Sequence, residues 1–191
     1  MDVDRYIRCR IGSDYPGGRY GGEDVKMRFG APWSTSVKWI TGITVTFLAI
    51  LVIFGISQME EIGSGSSILL ALLTVVLPAL VLVLSACWMI RGFVLSGDSL
   101  LIQRLGWQSR LDLTELVSAE ADPEAMDKSL RTWGNGGIFC FCGRFRNTKL
   151  GAYRVYATDP KRSVVLKFND RSVVVTPDRP DDFIASISER T

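Results

Sequence analysis

The chain has 191 residues, 22 basic and 20 acidic, with four cysteines and no histidine. A net charge of +2 leaves no electrostatic footprint for nucleic acid, and the lack of histidine excludes Ser-His-Asp and Cys-His catalysis together with the commonest metal ligand. Charge is also segregated: between Val37 and Ile90 the only charged residues are Lys38, Glu60 and Glu61, which divides the chain into a membrane part and a water-facing part.

Residues 1–36 are rich in glycine, with GGRYGG from Gly17 to Gly22, and mix charges of both signs. Such a composition buries little, so a flexible cytoplasmic segment is expected, with Tyr6–Ile7 or Val25–Phe29 as candidates for one short strand. Two apolar runs follow, 37–56 and 68–90, each longer than the roughly 18 residues at which a membrane span becomes the better reading. They predict a two-helix transmembrane hairpin over 37–90. The connection SQMEEIGSGSS, 57–67, holds two glutamates and no Lys or Arg, whereas Arg28, Lys38, Arg91, Arg104 and Arg110 flank the hairpin. The positive-inside rule then puts both termini of a multi-pass membrane protein in the cytoplasm. Trp33, Trp39 and Trp88 fall at the same interface. No signal-peptide pattern precedes the first run, so it is expected to stay as an anchor. Pro78 predicts a kink in the second helix, and the lack of an ionisable residue deep in either run argues against transport.

From Arg91 onward the pattern is that of short strands broken by turn residues. Expected strands are 93–96, 99–105, 107–113, 115–121, 152–158, 164–169 and 172–176. A carboxy-terminal helix follows, with Asp178 or Asp181 available as its cap and Phe183, Ile184 and Ile187 as its apolar stripe. Seven strands in groups of four and three before one helix is the element order of a pleckstrin-homology (PH) barrel. Residues 91–190 resemble the bacterial PH-like domains found beside transmembrane helices. The resemblance is carried by Arg91-Gly-Phe-Val-Leu, Asp122-Pro-Glu-Ala-Met, Arg131-Thr-Trp-Gly-Asn-Gly-Gly-Ile-Phe, Tyr153-Arg-Val-Tyr-Ala-Thr-Asp and Val173-Val-Val-Thr-Pro-Asp. It implies an α+β membrane protein in which the hairpin leads directly into a cytoplasmic PH-like seven-stranded β-barrel, 91–191, capped by the helix with Phe183 facing the core. It implies a prokaryotic plasma membrane as the location and no shared catalytic chemistry, so neither an enzyme nor a cofactor is expected. PH domains of eukaryotic signalling proteins take phosphoinositides on basic residues between their first two strands. Here that turn is Ser96-Gly-Asp-Ser and carries no basic residue, so the lipid function does not transfer.

The connection 122–151 is longer than a compact barrel needs, which marks it as the candidate site. It interleaves basic and aromatic residues: Arg131, Trp133, Phe139, Phe141, Arg144, Phe145, Arg146 and Lys149. That mixture suits a protein partner, a second copy of the chain or an anionic membrane surface. It is equally what results when aromatics close a barrel and charges stay solvated. Gly134-Asn-Gly-Gly lacks the Gly-Lys-Ser/Thr ending of a phosphate loop and reads as a tight turn. Cys140 and Cys142 flank Phe141, but no histidine or second cysteine pair completes a zinc site, so no metal is expected. The leading expectation is a non-enzymatic membrane-anchored interaction module. An anionic-lipid binder acting through 122–151 comes second, and a thiol or metal redox device third.

Overall fold

A computed structural model of the chain describes residues 27–59, 69 and 72–189. The suggested strand at Tyr6–Ile7, most of the glycine-rich segment and the connection 60–68 lie outside the described residues. The other suggested strand forms, shifted by a few residues. Strand β1, Met27–Gly30, pairs antiparallel with β2, Ile90–Ser96, from Met27 opposite Leu95 to Gly30 opposite Gly92. Both helices therefore leave and re-enter one sheet between two neighbouring strands. This changes the expected division of the chain, because residues 27–30 belong with the β domain.

Helix α1, Thr35–Met59, starts where the Ser34 hydroxyl accepts the Val37 amide at 3.2 Å. Thr35–Ser57 is the one helix among the described residues long and apolar enough to cross a membrane. The second apolar helix begins as a π-helical turn, Leu72–Val76, and continues as α2, Leu77–Cys87. Pro78 has no amide to donate four residues back, and the widened π-helical turn lies just upstream of it. The expected end at residue 90 is corrected. Ile90 is buried and pairs with Arg104, so the helix stops at Cys87 and the chain turns straight into β2. α1 packs on the second helix at Gly55, where Thr74 fills the space a side chain would need.

Beyond β2 the expected strands appear within a few residues: β3 Ser99–Arg104, β4 Gln108–Asp112, β5 Leu116–Ala121, β8 Gly151–Ala157, β9 Val164–Phe168 and β10 Ser172–Val175. The connection 122–151 is not a loop. It supplies β6, Leu130–Gly136, and β7, Phe141–Asn147, as an antiparallel hairpin added to β8. The seven-stranded barrel accordingly gives way to a sandwich of two open sheets, β1-β2-β3-β4 and β5-β9-β10-β8-β7-β6. β1 comes from ahead of the helices and β6–β7 from the long connection. Neither was counted in a barrel that starts at Arg91.

Between the sheets Phe93, Leu95, Leu100, Ile102, Leu166, Val173 and Val175 form the core. Helix α3, Pro180–Ser188, closes one end with Phe183 fully buried, edge-on to Phe29 of β1 at 5.1 Å between ring centres. Neither expected aspartate caps it. Pro180 fills the first position, where no amide is needed, and Arg179 holds Asp182 in the first turn at 3.2 Å.

Candidate functional site

The long connection divides into parts with different duties. Its first part, 122–129, folds over the outer face of the six-stranded sheet. There Ala125 and Met126 join Phe145, Tyr153, Val155, Val165 and Val174 in a second apolar cluster, with Phe141 packed against it. Asn147 Nδ2 donates to the Ala125 carbonyl at 2.8 Å and to Ser129 Oγ at 3.0 Å. Burial pushes the Tyr153 hydroxyl above its ordinary pKa, partly offset by its hydrogen bond with Ser129. Lys149 pairs with Asp122 at 2.6 Å, and that hydrogen-bonded carboxylate raises the Lys149 pKa. Of the expected site residues, Phe145 is thus buried in this cluster and Lys149 is held in an ion pair at its margin.

The hairpin tip has another duty. Asn135 organises it: its Nδ2 donates to the Ile138 carbonyl, and its Oδ1 accepts the Gly137 and Ile138 amides at 3.3 and 3.1 Å. The tight turn expected at Gly134–Gly137 sits slightly later. Gly134 and Gly143 face each other across the strands, where a side chain on either would strike the opposite backbone. Phe139 takes the left-handed conformation, φ 64°, and its amide donates to Thr41 Oγ1 of α1 at 2.9 Å. Its ring meets Trp33 edge-on at 5.9 Å, and Val37, one turn before Thr41, is fully buried. Phe139 therefore belongs to the joint between the β domain and the helices. Thr41, which the sequence reading passed over as one residue of an apolar run, is its polar pin.

The end of α2 is pinned too. Arg104, expected as a flanking positive charge at the membrane, is only 5% exposed. Its guanidinium donates to the Trp88 carbonyl at 2.8 Å and lies 4.5 Å from the Trp107 ring, with Trp88 and Tyr156 also against it. Trp107 Nε1 donates to the Cys87 carbonyl at 3.0 Å, and Cys140 Sγ to the Trp88 carbonyl at 3.2 Å. Cys142 accepts from Arg104. Burial, reinforced by the neighbouring Cys142, pushes the Cys140 thiol up to about 12, the opposite of what thiolate chemistry requires. Among the described residues no cluster of three or more His, Cys, Asp or Glu stands ready to hold a metal.

What remains is an open surface. On the inner face of the six-stranded sheet, register puts Leu130 opposite Arg146, Trp133 opposite Arg144, and Arg144 opposite Arg154. Leu130 is 76% and Trp133 79% exposed, and Arg144 and Arg146 are exposed as well. Among the described residues none of the three arginines forms an ion pair. Arg131 gives an N–H to the Gly134 carbonyl at 3.2 Å at the exposed edge. The hairpin 130–147 has three arginines and no acidic residue. Of the eight expected site residues, Trp133, Arg144 and Arg146 form this surface and Arg131 stands at its exposed edge; Phe139 lies in the joint, Phe141 and Phe145 in packing, and Lys149 in an ion pair. Arg154 was missed, since nothing in the sequence shows that β8 sets it beside Arg144.

No curated protein and no solved structure matches the chain. Residues 91–191 match the family described as Bacterial PH domain. That match covers the strands from β2 through β10 and helix α3, the scaffold that presents the basic surface, and the chain belongs to the bacterial PH domain family.

Proposed function

We propose that the chain is a non-enzymatic interaction module anchored in the cell membrane by its two apolar helices, Thr35–Met59 and the one that ends at Cys87, with both termini in the cytoplasm. One observation carries the anchor. Away from where they pack on each other and on the β domain, α1 and the second helix leave large apolar side chains bare, among them Ile43, Phe47, Ile50, Ile53, Phe54, Leu73, Leu77, Leu80 and Val83. Uncovered surface of that kind needs lipid or another apolar cover. Because the helices are inserted between β1 and β2 and pinned at Thr41 and Arg104, the β domain sits close against the membrane.

The working surface in this reading is the open part of the inner sheet face: Leu130, Arg144, Arg146 and Arg154. Arg144 and Arg154 are direct cross-strand neighbours, an opposition of like charges that costs stability unless an acidic group comes between them. A protein with an acidic patch around an apolar contact, or a second copy of this chain, suits that surface. The test is chemical crosslinking of the full chain in membranes. Alkaline carbonate should fail to strip the protein from the bilayer, and a discrete crosslinked species should vanish in R144E/R146E. Extraction by carbonate refutes the anchor, and an unchanged crosslinking pattern refutes the surface.

A further inference from the structure

A groove of about 650 Å3 opens between the last turn of α2 and β6. Leu84, Trp88, Trp133 and Ile138 form its apolar walls, and Arg131 and Asn135 add polar groups. Two features indicate what covers it. The α2 wall is continuous with the bare apolar surface of that helix, through Leu84, Val81, Leu80 and Leu77, so the groove opens toward whatever covers the helices. Opposite stands Trp133, 79% exposed, and Arg131, which also lines the groove, forms no ion pair among the described residues. An apolar cleft that runs out of a lipid-facing helix and is lined at its far side by an arginine in no ion pair matches a molecule with a hydrocarbon body and an anionic head.

We infer that this groove holds one anionic phospholipid of the surrounding bilayer, with an acyl chain along Leu84 and Trp133 and the headgroup phosphate on Arg131. The inference rests on the membrane anchoring proposed above. The site lies away from the acidic turn Gly97–Asp98 and borders the open face at Trp133, which stands opposite Arg144. The lipid fills space between α2 and β6 and so fixes how the domain leans on the membrane.

The test uses the full chain in nanodiscs of phosphatidylglycerol and phosphatidylcholine in equal amounts, released into a native mass spectrometer. One phosphatidylglycerol per chain should be retained in preference to phosphatidylcholine. The preference should fall about fivefold in Arg131→Gln, the effect expected of one basic group at an anionic lipid. Trp133→Ala should lose retention of either lipid, and Arg146→Gln should keep both. Both groove substitutions are at exposed positions and leave the core intact. A chain that enters nanodiscs without preferring phosphatidylglycerol overturns the groove alone. A preference that survives Arg131→Gln, or falls equally in Arg146→Gln, marks diffuse charge attraction and also overturns it. A chain that does not enter nanodiscs overturns the anchoring and the groove together.

Discussion

The inner face of the six-stranded sheet has two regions that differ in one respect, whether anything covers them. Across β5, β9 and β10 it carries Leu116, Val164, Leu166, Phe168, Val173 and Val175, buried beneath the other sheet and α3. The cover ends near Tyr156 and Cys142. Past that line the same face of β8, β7 and β6 carries Arg154, Arg144, Arg146, Trp133 and Leu130. One backbone scaffold thus holds a packed region whose residues explain each other and an open region whose residues do not. The difference teaches that exposed aromatic and basic groups here cannot be put down to barrel closure. Phe141 and Phe145, from the same segment, do that kind of packing on the other face.

The comparison can be broken from the covered side first. Phe183→Ala removes a fully buried ring from between α3 and Phe29 and should cost about 3–5 kcal/mol, read from denaturant unfolding. A loss below about 1 kcal/mol would mean that α3 is not the cover it looks like. In the same way, a soluble fragment 91–191 lacks β1 and Phe29. It should melt well below a fragment in which residues 27–34 are joined by a short linker to residue 90. Equal melting temperatures would remove β1 from the domain. Thr41→Val strips the acceptor from the Phe139 amide and should cost about 1–3 kcal/mol while loosening helix from hairpin, seen as faster hydrogen exchange at residues 137–140.

Burial of Cys140 gives a pH test. Its thiol is held at about 12 against an ordinary 9.0, so the folded state favours the neutral form. That contribution is complete below pH 9 and is lost as pH rises toward 12. Stability should therefore fall over that alkaline range, and the fall should be shallower in Cys140→Ala. The smallest effects belong to the open region: Arg144→Ala, Arg146→Ala and Leu130→Ser should each change stability by no more than about 0.5 kcal/mol. A cost near that of Thr41→Val in any of them would make the open region structural after all.

Much of the fold was legible because its signals are local. The strands from 90 to 121 and from 151 to 175 follow alternation and turn residues, and Phe183 follows from helical spacing. The pieces missed, or suggested without a partner as β1 was, depend on partners distant in sequence. β1 is a strand because β2 lies beside it, on the far side of the helix pair. β6 is glycine-rich and exposed on nearly every residue, so it shows no two-residue period; only pairing with β7 makes it a strand. Arg104 looked like a membrane-flanking charge because the aromatic cage around it comes from three separate segments. The candidate segment was found by its length, but its division into packing, joint and open surface depends on which face of the sheet each side chain takes.

The most direct measurement places a photo-crosslinking residue at 144 or 146, and in a control chain at Val117. Val117 is 63% exposed on β5, the edge strand at the far side of the same sheet. Full-length protein would be irradiated in the membranes of the cells that make it. The account predicts a discrete protein adduct from 144 and 146 that is absent from 117. The same adducts from 117, or none from either arginine position, would contradict it.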